Sequence, residues 1–532
     1  MSLRVYNTLT NKKEDLEPVT PGKIGMYLCG PTVYKPSHIG HMVGPVIFDV
    51  VKRHLVYCGY DVTFVVNVTD IDDKLIVEAA KRDMTVAALA EEMTADYMNN
   101  LSAMGIDTID HFPRATDNMQ NIIDFISGLI EKGYAYESDG DVYFDVGKDA
   151  EYGKLSNRRP DDMQGEGGGT ATRKRSPLDF ALWKSAKPGE PTWESPWAPG
   201  RPGWHIECSA MSKALLGETF DFHGGGLDLV FPHHENEVAQ SECLHGKPQA
   251  NYWLHNGLMQ APDEVGKLGG RNTRTREEGE DDGQLVGDQD AQEAGKMGKS
   301  KGASAFSALL ERHPAEAIRL LLISTHYRSP ILFSEDEIRA SAERLETFYR
   351  FFKRYERVTG DSFYELPLNE NRDAGDKHLA GASNEATDFA GMFEELSALR
   401  QNFLARMDDD FNTAAAIGNL YEALGVLNRF IEEQKLEGAG KTNDAAQAAL
   451  RNATITFREL AGILGLFRQP PQSASGANDE FVDQLMQLLI QIRADARKAK
   501  NFDLADTVRN QLTEIGVTLE DRADGTTWEL KR

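Results

Sequence analysis

Apolar runs alternate with helical patterns in the first part of the chain. The run from Ile24 to Leu28 predicts a buried strand, and a second run over 62–68 predicts another. Between them, a Gly/Pro turn leads into an apolar stretch with a helical period that ends near Cys58. Two strands joined by a helix form a βαβ unit, so we predict a parallel sheet and an α/β fold.

The later pattern predicts several further regions. Helical periodicity covers 83–132, and it returns from about 335 to 465 with a polar break near 366–388. A Pro/Ser-rich linker precedes two helices, about 480–500 and 502–514, and short strands. We therefore predict a Rossmann-like catalytic domain in two halves (1–132 and 201–334), an inserted mixed segment (133–200), a helical bundle (335–468) and a small mixed α/β C-terminal domain (480–532).

Composition bounds the class of protein. At 532 residues with 40% hydrophobic residues the chain is globular and too long for one core, so we expect three or four domains. We find no apolar run long enough to span a bilayer and no signal-peptide pattern, so we expect a cytoplasmic protein without a membrane partner. The four cysteines are too few for a disulfide framework. The net charge of −26 argues against indiscriminate nucleic-acid binding and requires any RNA contact to be local.

Residues 261–295 differ from their surroundings. This stretch holds ten acidic and four basic residues with seven glycines. We interpret it as a solvated insertion, with an ordered β-hairpin cap as the alternative. It ends directly before a short lysine loop, 296–300.

The turn after the first predicted strand carries a His-x-x-His motif. His38 and His41 flank Gly40 and are predicted to lie in the first turn of the following helix, where backbone N–H groups favour phosphate. Taken alone, the motif also fits a surface pair or a capping pair. Downstream, Lys296 and Lys299 lie in a Gly-flanked loop suited to a triphosphate. Together the two motifs resemble the signatures of class I aminoacyl-tRNA synthetases, with Gly298 where that family usually has serine.

Four residues with metal-ligating side chains follow predicted elements of the catalytic halves. Cys29 ends the first strand, and Cys208, His233 and Glu237 lie in the second half, the last two spaced i, i+4. Two thiolates, an imidazole and a carboxylate suit Zn²⁺. Since the chain has no Cys-x-x-Cys pair, buried thiols and a capped helix start remain the alternative.

These positions resemble cysteinyl-tRNA synthetases. Members of that family hold a zinc through a cysteine beside His-Ile-Gly-His, a cysteine after Trp-His-Ile-Glu, and the His and Glu of Phe-Pro-His-His-Glu-Asn-Glu. The chain matches all four positions, and the resemblance covers nearly its whole length. It implies one zinc per chain that selects the cysteine thiolate over the serine hydroxyl. An apolar pocket alone would discriminate by only roughly 10- to 200-fold. With the substrate thiolate bound, the zinc would take five ligands or its bond to Glu237 would loosen.

The resemblance also implies the reaction and its residues. L-Cysteine and ATP with Mg²⁺ would form cysteinyl-adenylate, and the acyl group would pass to tRNA(Cys). The phosphates would contact His38, His41, Lys296 and Lys299. The remaining implied contacts are the adenosine with Gly224, Gly225, Gly226 and Asp228, and the substrate cysteine with Thr69, Trp204 and His223. Ordinary core or turn roles are the alternative for the last three.

The C-terminal tail is predicted to meet the tRNA anticodon. Arg493 and Arg497 share one helix face, and Asp521 follows in the strand region. Cations and an acidic acceptor suit the bases of a single-stranded loop, although a solvated helix face is the simpler alternative. We expect a monomer. The competing hypotheses are a ligase that joins cysteine to an amino sugar, and a catalytically silent paralogue that senses cysteine or binds RNA.

Overall fold

The structure is a computed structural model that describes residues 2–158, 173–260, 305–471, 479–522 and 525–530. The chain divides into two compact units, 1–469 and 470–532. The strands, in chain order, are β1 (Arg4–Asn7), β2 (Lys12–Asp15), β3 (Lys23–Leu28), β4 (Asp61–Val66), β5 (Ala135–Ser138), β6 (Asp141–Phe144), β7 (Phe180–Ser185), β8 (Gly200–Pro202), β9 (Phe220–Gly226), β10 (Ala250–Asn256), β11 (Met259–Gln260), β12 (Ile331–Leu332), β13 (Val517–Arg522) and β14 (Gly525–Leu530). The α-helices are α1 (Gly40–Tyr57), α2 (Asp73–Lys81), α3 (Val86–Ala103), α4 (Met119–Glu131), α5 (Trp204–Leu216), α6 (Glu235–His245), α7 (Phe306–Leu310), α8 (Ala315–Ile323), α9 (Glu335–Thr359), α10 (Arg372–Glu385), α11 (Ala390–Asp408), α12 (Thr413–Glu433), α13 (Asp444–Ile463), α14 (Asp479–Lys498) and α15 (Phe502–Glu514).

A four-stranded parallel sheet forms the centre of the first unit, in the order β10-β9-β3-β4. Met26 pairs with Phe64 on one side and with Phe222 on the other, and all three side chains are buried. Strand β9 enters from the second catalytic half, about two hundred residues after β3 in the chain. The predicted α/β, Rossmann-like fold is confirmed. The carboxyl ends of the strands meet at one edge, where open parallel sheets bind ligands.

Helix α1 crosses this sheet through an apolar face that includes Met42, Val46 and Val50. It begins at Gly40, so the prediction that His38 lies in its first turn is wrong. The preceding backbone is held elsewhere, since Ser37 N–H donates to Asp96 Oδ2 at 2.7 Å. The two histidine rings nevertheless stack, with centroids 3.9 Å apart. Both histidines therefore stand at the helix N-terminus.

The inserted segment contains an antiparallel sheet in the order β5-β6-β7-β8. Phe144, Phe180 and Trp183 form its buried face together with apolar residues of α4 and α5. The predicted mixed character of this region agrees with the observed elements. The predicted boundaries within the first unit remain predictions.

Helices α9 to α13 form the predicted helical region, and Phe348, Phe352 and Phe457 pack in its core. The polar break predicted near 366–388 is wrong because α10 lies within it. Asn371 caps α10 by accepting a hydrogen bond from Ala374 N–H at 2.9 Å. Leu379 is among the few residues that α10 buries, so its hydrophobic signal is weak.

The second unit contains α14, α15 and the β13–β14 hairpin. Its small core includes Met486, Leu512, Val517 and Leu519. The acidic insertion 261–295 and the lysine loop 296–300, with Lys296, Gly298 and Lys299, lie outside the described residues. None of the described helices combines the length and apolar character that crossing a membrane requires.

Candidate active site

The carboxyl edge of the parallel sheet brings together a thiol, an imidazole and a carboxylate from distant parts of the chain. Cys29 follows β3, and its Sγ lies 3.4 Å from Glu237 Oε1 and 3.7 Å from Cys208 Sγ. His233 Nε2 lies 3.1 Å from the same Glu237 oxygen. His233 precedes α6 and Glu237 lies in its first turn, so the predicted i, i+4 pair does point to one place. Three of the four sequence-predicted metal residues, Cys29, His233 and Glu237, meet here, and Cys208 joins them through its contact with Cys29.

A fifth residue, His234, also reaches this cluster. The possible ligand atoms of Cys29, His233, His234 and Glu237 lie within 4.8 Å of one another. His234 Nε2 is buried, lies 4.0 Å from Glu237 Oε1, and makes no hydrogen bond among the described residues. His234 was not among the predicted ligands, because its neighbour His233 alone has the i, i+4 relation to Glu237.

Histidines behind the cluster orient its imidazoles. His205 Nδ1 and His233 Nδ1 lie 2.9 Å apart, and His234 Nδ1 lies 2.8 Å from His255 Nε2. The chain of contacts ends at Thr8 Oγ1, 2.8 Å from His255 Nδ1. Sequence reasoning missed His205 and His255. Their positions could have indicated a role, since His205 belongs to the Trp-His-Ile-Glu motif and His255 lies at the carboxyl end of β10.

Burial controls the protonation of these groups. It lowers the pKa of His205 and of His255 to about 3, and it lowers the pKa of His233 and His234 well below the ordinary value. Burial likewise raises the pKa of the Cys29 thiol well above its usual range. The imidazoles are therefore neutral at physiological pH, the form that binds metal. No described lysine or arginine pairs with Cys29, His233 or Glu237.

The donor set fits Zn²⁺. Sulfur, imidazole nitrogen and carboxylate oxygen are the ligands that zinc takes in proteins. Ionising the two thiols beside the buried Glu237 carboxylate would be costly without a cation. A divalent ion would supply the missing positive charge.

Two of the three residues predicted for the cysteine pocket, His223 and Trp204, border this cluster. His223 Nε2 lies 2.8 Å from Glu237 Oε2, and the Trp204 ring centroid lies 4.2 Å from that of His233. Trp204 is 39% exposed, so the residue is accessible from solvent. Thr69 is buried, and its hydroxyl donates to Glu207 Oε2 at 2.9 Å.

A cavity of about 520 Å³ extends from Cys29 along the N-terminus of α1. Its lining includes five of the predicted ATP-binding residues: His38, His41, Gly225, Gly226 and Asp228. Gly224 is different. A Cβ at this position would lie 2.0 Å from Phe48 Cζ, so Gly224 is needed for packing of β9 against α1 and its predicted adenosine contact has no support in this geometry. The cavity has room for a nucleotide next to the cluster of Cys29, Cys208, His233 and Glu237, which we call the thiol cluster.

The predicted anticodon residues interact with one another in the second unit. Arg493 donates to both carboxylate oxygens of Asp521 at 2.7 Å, and Arg497 Nη1 lies 3.0 Å from Asp521 Oδ2. The Arg493 side chain is only 5% exposed, whereas that of Arg497 is 52% exposed. Arg493 therefore holds β13 against α14, and Arg497 is the accessible cation of the pair.

The parallel sheet and the site at its carboxyl edge are typical of class I aminoacyl-tRNA synthetases. Comparisons of this chain with known protein families and solved structures identify the same class. Residues 15–267 match the family model for the class I (C) tRNA synthetase catalytic domain, and 402–468 match the DALR domain. A Mycobacterium tuberculosis methionyl-tRNA synthetase in complex with methionyl-adenylate shares the fold. Its TM-score is 0.53 at 16% identity, over 83% of this chain and 90% of that one.

Full-length relatives narrow the class to one family. The cysteine–tRNA ligase of Geobacter metallireducens is 42% identical over 100% of both chains. That of Halalkalibacterium halodurans is 41% identical over 99% of both chains. The chain belongs to the cysteine–tRNA ligase family, and the predicted family and enzyme class are confirmed.

Proposed function

We propose that this enzyme attaches L-cysteine to tRNA(Cys) in two steps. Cysteine and ATP first give cysteinyl-adenylate and pyrophosphate, and the acyl group then passes to tRNA with release of AMP. The juxtaposition of the thiol cluster and the α1 N-terminus along one cavity carries the proposal. It would place a substrate thiol and an ATP α-phosphate within one bound ligand's length.

The first step needs no protein nucleophile, because the cysteine carboxylate attacks the α-phosphorus. The chain's contribution is positioning and charge stabilisation. His38, His41 and the positive end of the α1 dipole would hold the phosphates of Mg²⁺-ATP. Asp228 would accept hydrogen bonds from the ribose hydroxyls, with Gly225 and Gly226 against the nucleoside. Lys296 and Lys299 are proposed to stabilise the leaving pyrophosphate.

We further propose one zinc per chain, held by Cys29, Cys208, His233 and Glu237. Bound zinc would supply a Lewis acid that prefers a thiolate to a neutral hydroxyl and so excludes serine. His205 and His255 would fix the ring orientation of His233 and His234. Trp204 and His223 would shape the pocket for the side chain, while Glu207 would hold Thr69 beside it. His234 lies close enough to serve in place of a displaced ligand.

Transfer would use the C-terminal parts of the chain. The DALR match over 402–468 supports tRNA binding by the helical region. The exposed guanidinium of Arg497 would contact anticodon bases, and Arg493 would act only by positioning Asp521. We propose that the protein acts as a cytoplasmic monomer.

Cysteine-dependent ATP–pyrophosphate exchange and tRNA(Cys) charging test the proposal together. We expect both activities in one preparation. Exchange without tRNA charging, but with ligation of cysteine to an amino sugar, would favour the alternative ligase. The absence of exchange would favour the silent paralogue. Full-length similarity to tRNA ligases speaks against both alternatives.

A further inference from the structure

A second cysteine-containing cluster lies at the carboxyl end of α1. Cys58 directly follows the helix, and its half-buried Sγ lies 3.6 Å from His54 Nε2 and 3.3 Å from Arg372 Nη2. His54 Nε2 also lies 3.0 Å from Asp408 Oδ1, and Arg372 donates to both oxygens of Asp408 at 2.7 and 3.0 Å. Helices α1, α10 and α11 each contribute, so the fold itself assembles the four groups.

Geometry alone would allow a metal here, but charge argues against it. The possible ligand atoms of His54, Cys58 and Asp408 lie within 4.8 Å of one another. Arg372, however, already places a permanent cation against both the sulfur and the carboxylate. A guanidinium offers no lone pair to a metal and repels one. The same contacts stabilise a thiolate.

Some of the groups that face Cys58 lower the pKa of its thiol, and others raise it. Burial alone would raise the pKa of the thiol, but the hydrogen bond with His54 and the charge of Arg372 outweigh it and lower the pKa. Asp408 and the negative end of the α1 dipole oppose them. Tyr60 is a further titratable neighbour, and burial raises its pKa, which keeps it neutral. A low-pKa, partly exposed thiol is the kind that reacts with electrophiles.

The guanidinium beside the Cys58 sulfur has one hydrogen-bond donor without an acceptor among the described residues. Arg372 Nε is buried and makes no hydrogen bond among the described residues, although the two terminal nitrogens of the same guanidinium are engaged. An oxygen atom gained by the Cys58 sulfur would be a new acceptor close to this guanidinium. The cluster therefore offers both an activated nucleophile and a donor for its oxidised product.

We propose that Cys58 is a peroxide-sensitive modification site that a hydroperoxide oxidises to sulfenic acid. With hydrogen peroxide, the thiolate sulfur attacks one oxygen, the S–O bond forms as the O–O bond breaks, and hydroxide leaves. Sulfur loses two electrons and the peroxide gains them. The hydroxide takes up the proton that the thiol released on ionisation, so the net products are the sulfenic acid and one water molecule. Because the sulfur contacts both α1 and α10, its oxidation would alter the junction between the sheet and the helical region.

Labelling of the full-length, zinc-loaded protein tests the proposal. The reduced chain is exposed to limiting hydrogen peroxide, trapped with dimedone, and analysed by peptide mass spectrometry. Cys243 is an internal control, because burial raises its pKa to about 12 and it is also only partly buried. We expect Cys58 to be labelled at least about ten-fold faster, since each step of one in pKa changes the thiolate fraction roughly ten-fold. Equal or slower labelling of Cys58 would overturn the proposal.

Two variants separate activation from mere exposure. Arg372→Met should slow Cys58 labelling by roughly ten-fold and leave Cys243 unchanged, while Arg372→Lys should retain part of the rate. Unchanged Cys58 labelling in folded Arg372→Met would refute the assigned activation. If that variant fails to fold, the pH profile of Cys58 alkylation in the unaltered chain decides. A midpoint below that of a free thiol supports the proposal, and one at or above it refutes it.

Discussion

The two ends of helix α1 carry cysteine clusters of similar composition and different electrostatics. Near its N-terminus, Cys29, His233 and Glu237 meet without a lysine or arginine partner among the described residues. At its C-terminal end, Cys58, His54 and Asp408 meet, and Arg372 contacts both the sulfur and the carboxylate. Thiol, imidazole and carboxylate within ligating distance do not by themselves define a metal site. The fixed cation decides whether such a cluster needs a metal.

The difference extends along the helix. Buried contacts fasten the C-terminal half of α1 to α8 through the Asp49–Arg319 ion pair and to the helical region through the Tyr57–Arg400 hydrogen bond. The N-terminal end instead borders a cavity. The C-terminal end of α1 is therefore fixed by packing, and we call it the closed end. The N-terminal end borders space for a ligand, and we call it the open end.

The largest expected effect comes from breaking the closed end. Arg400 is 3% exposed and pairs with the fully buried Glu459 at 2.7 Å. Arg400→Met should lower the free energy of unfolding by about 3–5 kcal/mol, because it leaves Glu459 buried without its partner. Urea unfolding measures this. The exposed pair Arg429–Glu395 provides the control, and Arg429→Met should cost less than about 1 kcal/mol. Similar losses in both variants would contradict the buried-pair account.

At the open end, loss of one proposed ligand should release the metal. His233→Ala removes the imidazole that lies 3.1 Å from Glu237, and we expect at least a roughly 100-fold loss of zinc affinity. Competition with a fluorescent chelator measures the affinity. His205→Asn, which removes only the partner of His233, should cost about ten-fold. Undiminished zinc binding by His233→Ala would remove His233 from the proposed ligand set.

A zinc chelator should change the alkylation rates of the two cysteine clusters differently. Removal of zinc should speed the alkylation of Cys29 and Cys208 by roughly ten-fold or more, because metal-bound thiolates are shielded. The alkylation rate of Cys58 should stay within about two-fold, since no metal is assigned there. Peptide mapping after timed iodoacetamide treatment reports all three rates in one experiment. Acceleration of Cys58 would indicate a second metal.

The smallest expected effect concerns the second unit. Arg497→Ala should raise KM for tRNA by about five-fold, or about 1 kcal/mol, through loss of one exposed cation. Cysteine-dependent pyrophosphate exchange should be unchanged. Aminoacylation kinetics with varied tRNA provide the measurement. Equal losses in both assays would show that Arg497 acts on folding rather than on tRNA.

Local chemistry explains which elements were predictable from sequence. Helix α15 was predicted at 502–514 and is observed at Phe502–Glu514, where Asn501 caps it by accepting from Leu504 N–H at 3.2 Å. The helix Arg372–Glu385 was missed because a mostly polar surface leaves little periodicity. The start of α1 was misplaced because His38 stacks on His41 without adopting a position in the helix.

The site shows a similar division. The four proposed zinc residues carry distinctive motifs, and the fold brings them together. His234 and His255 were missed because their contact depends on how α6 approaches β10, which spacing along the chain does not reveal. The Arg372–Cys58 contact joins residues more than three hundred positions apart, so it too required the structure. For Gly224, the sequence suggested ligand contact, and the packing against Phe48 provides the actual constraint.

The most direct test of the central claim is ATP–pyrophosphate exchange with cysteine and with serine, on protein of measured zinc content, beside Cys208→Ser. We expect cysteine-specific exchange with about one zinc per chain. In Cys208→Ser, we expect loss of both the metal and the exchange. Cysteine-specific exchange that persists in the zinc-free protein would contradict metal-based selection of the substrate thiol.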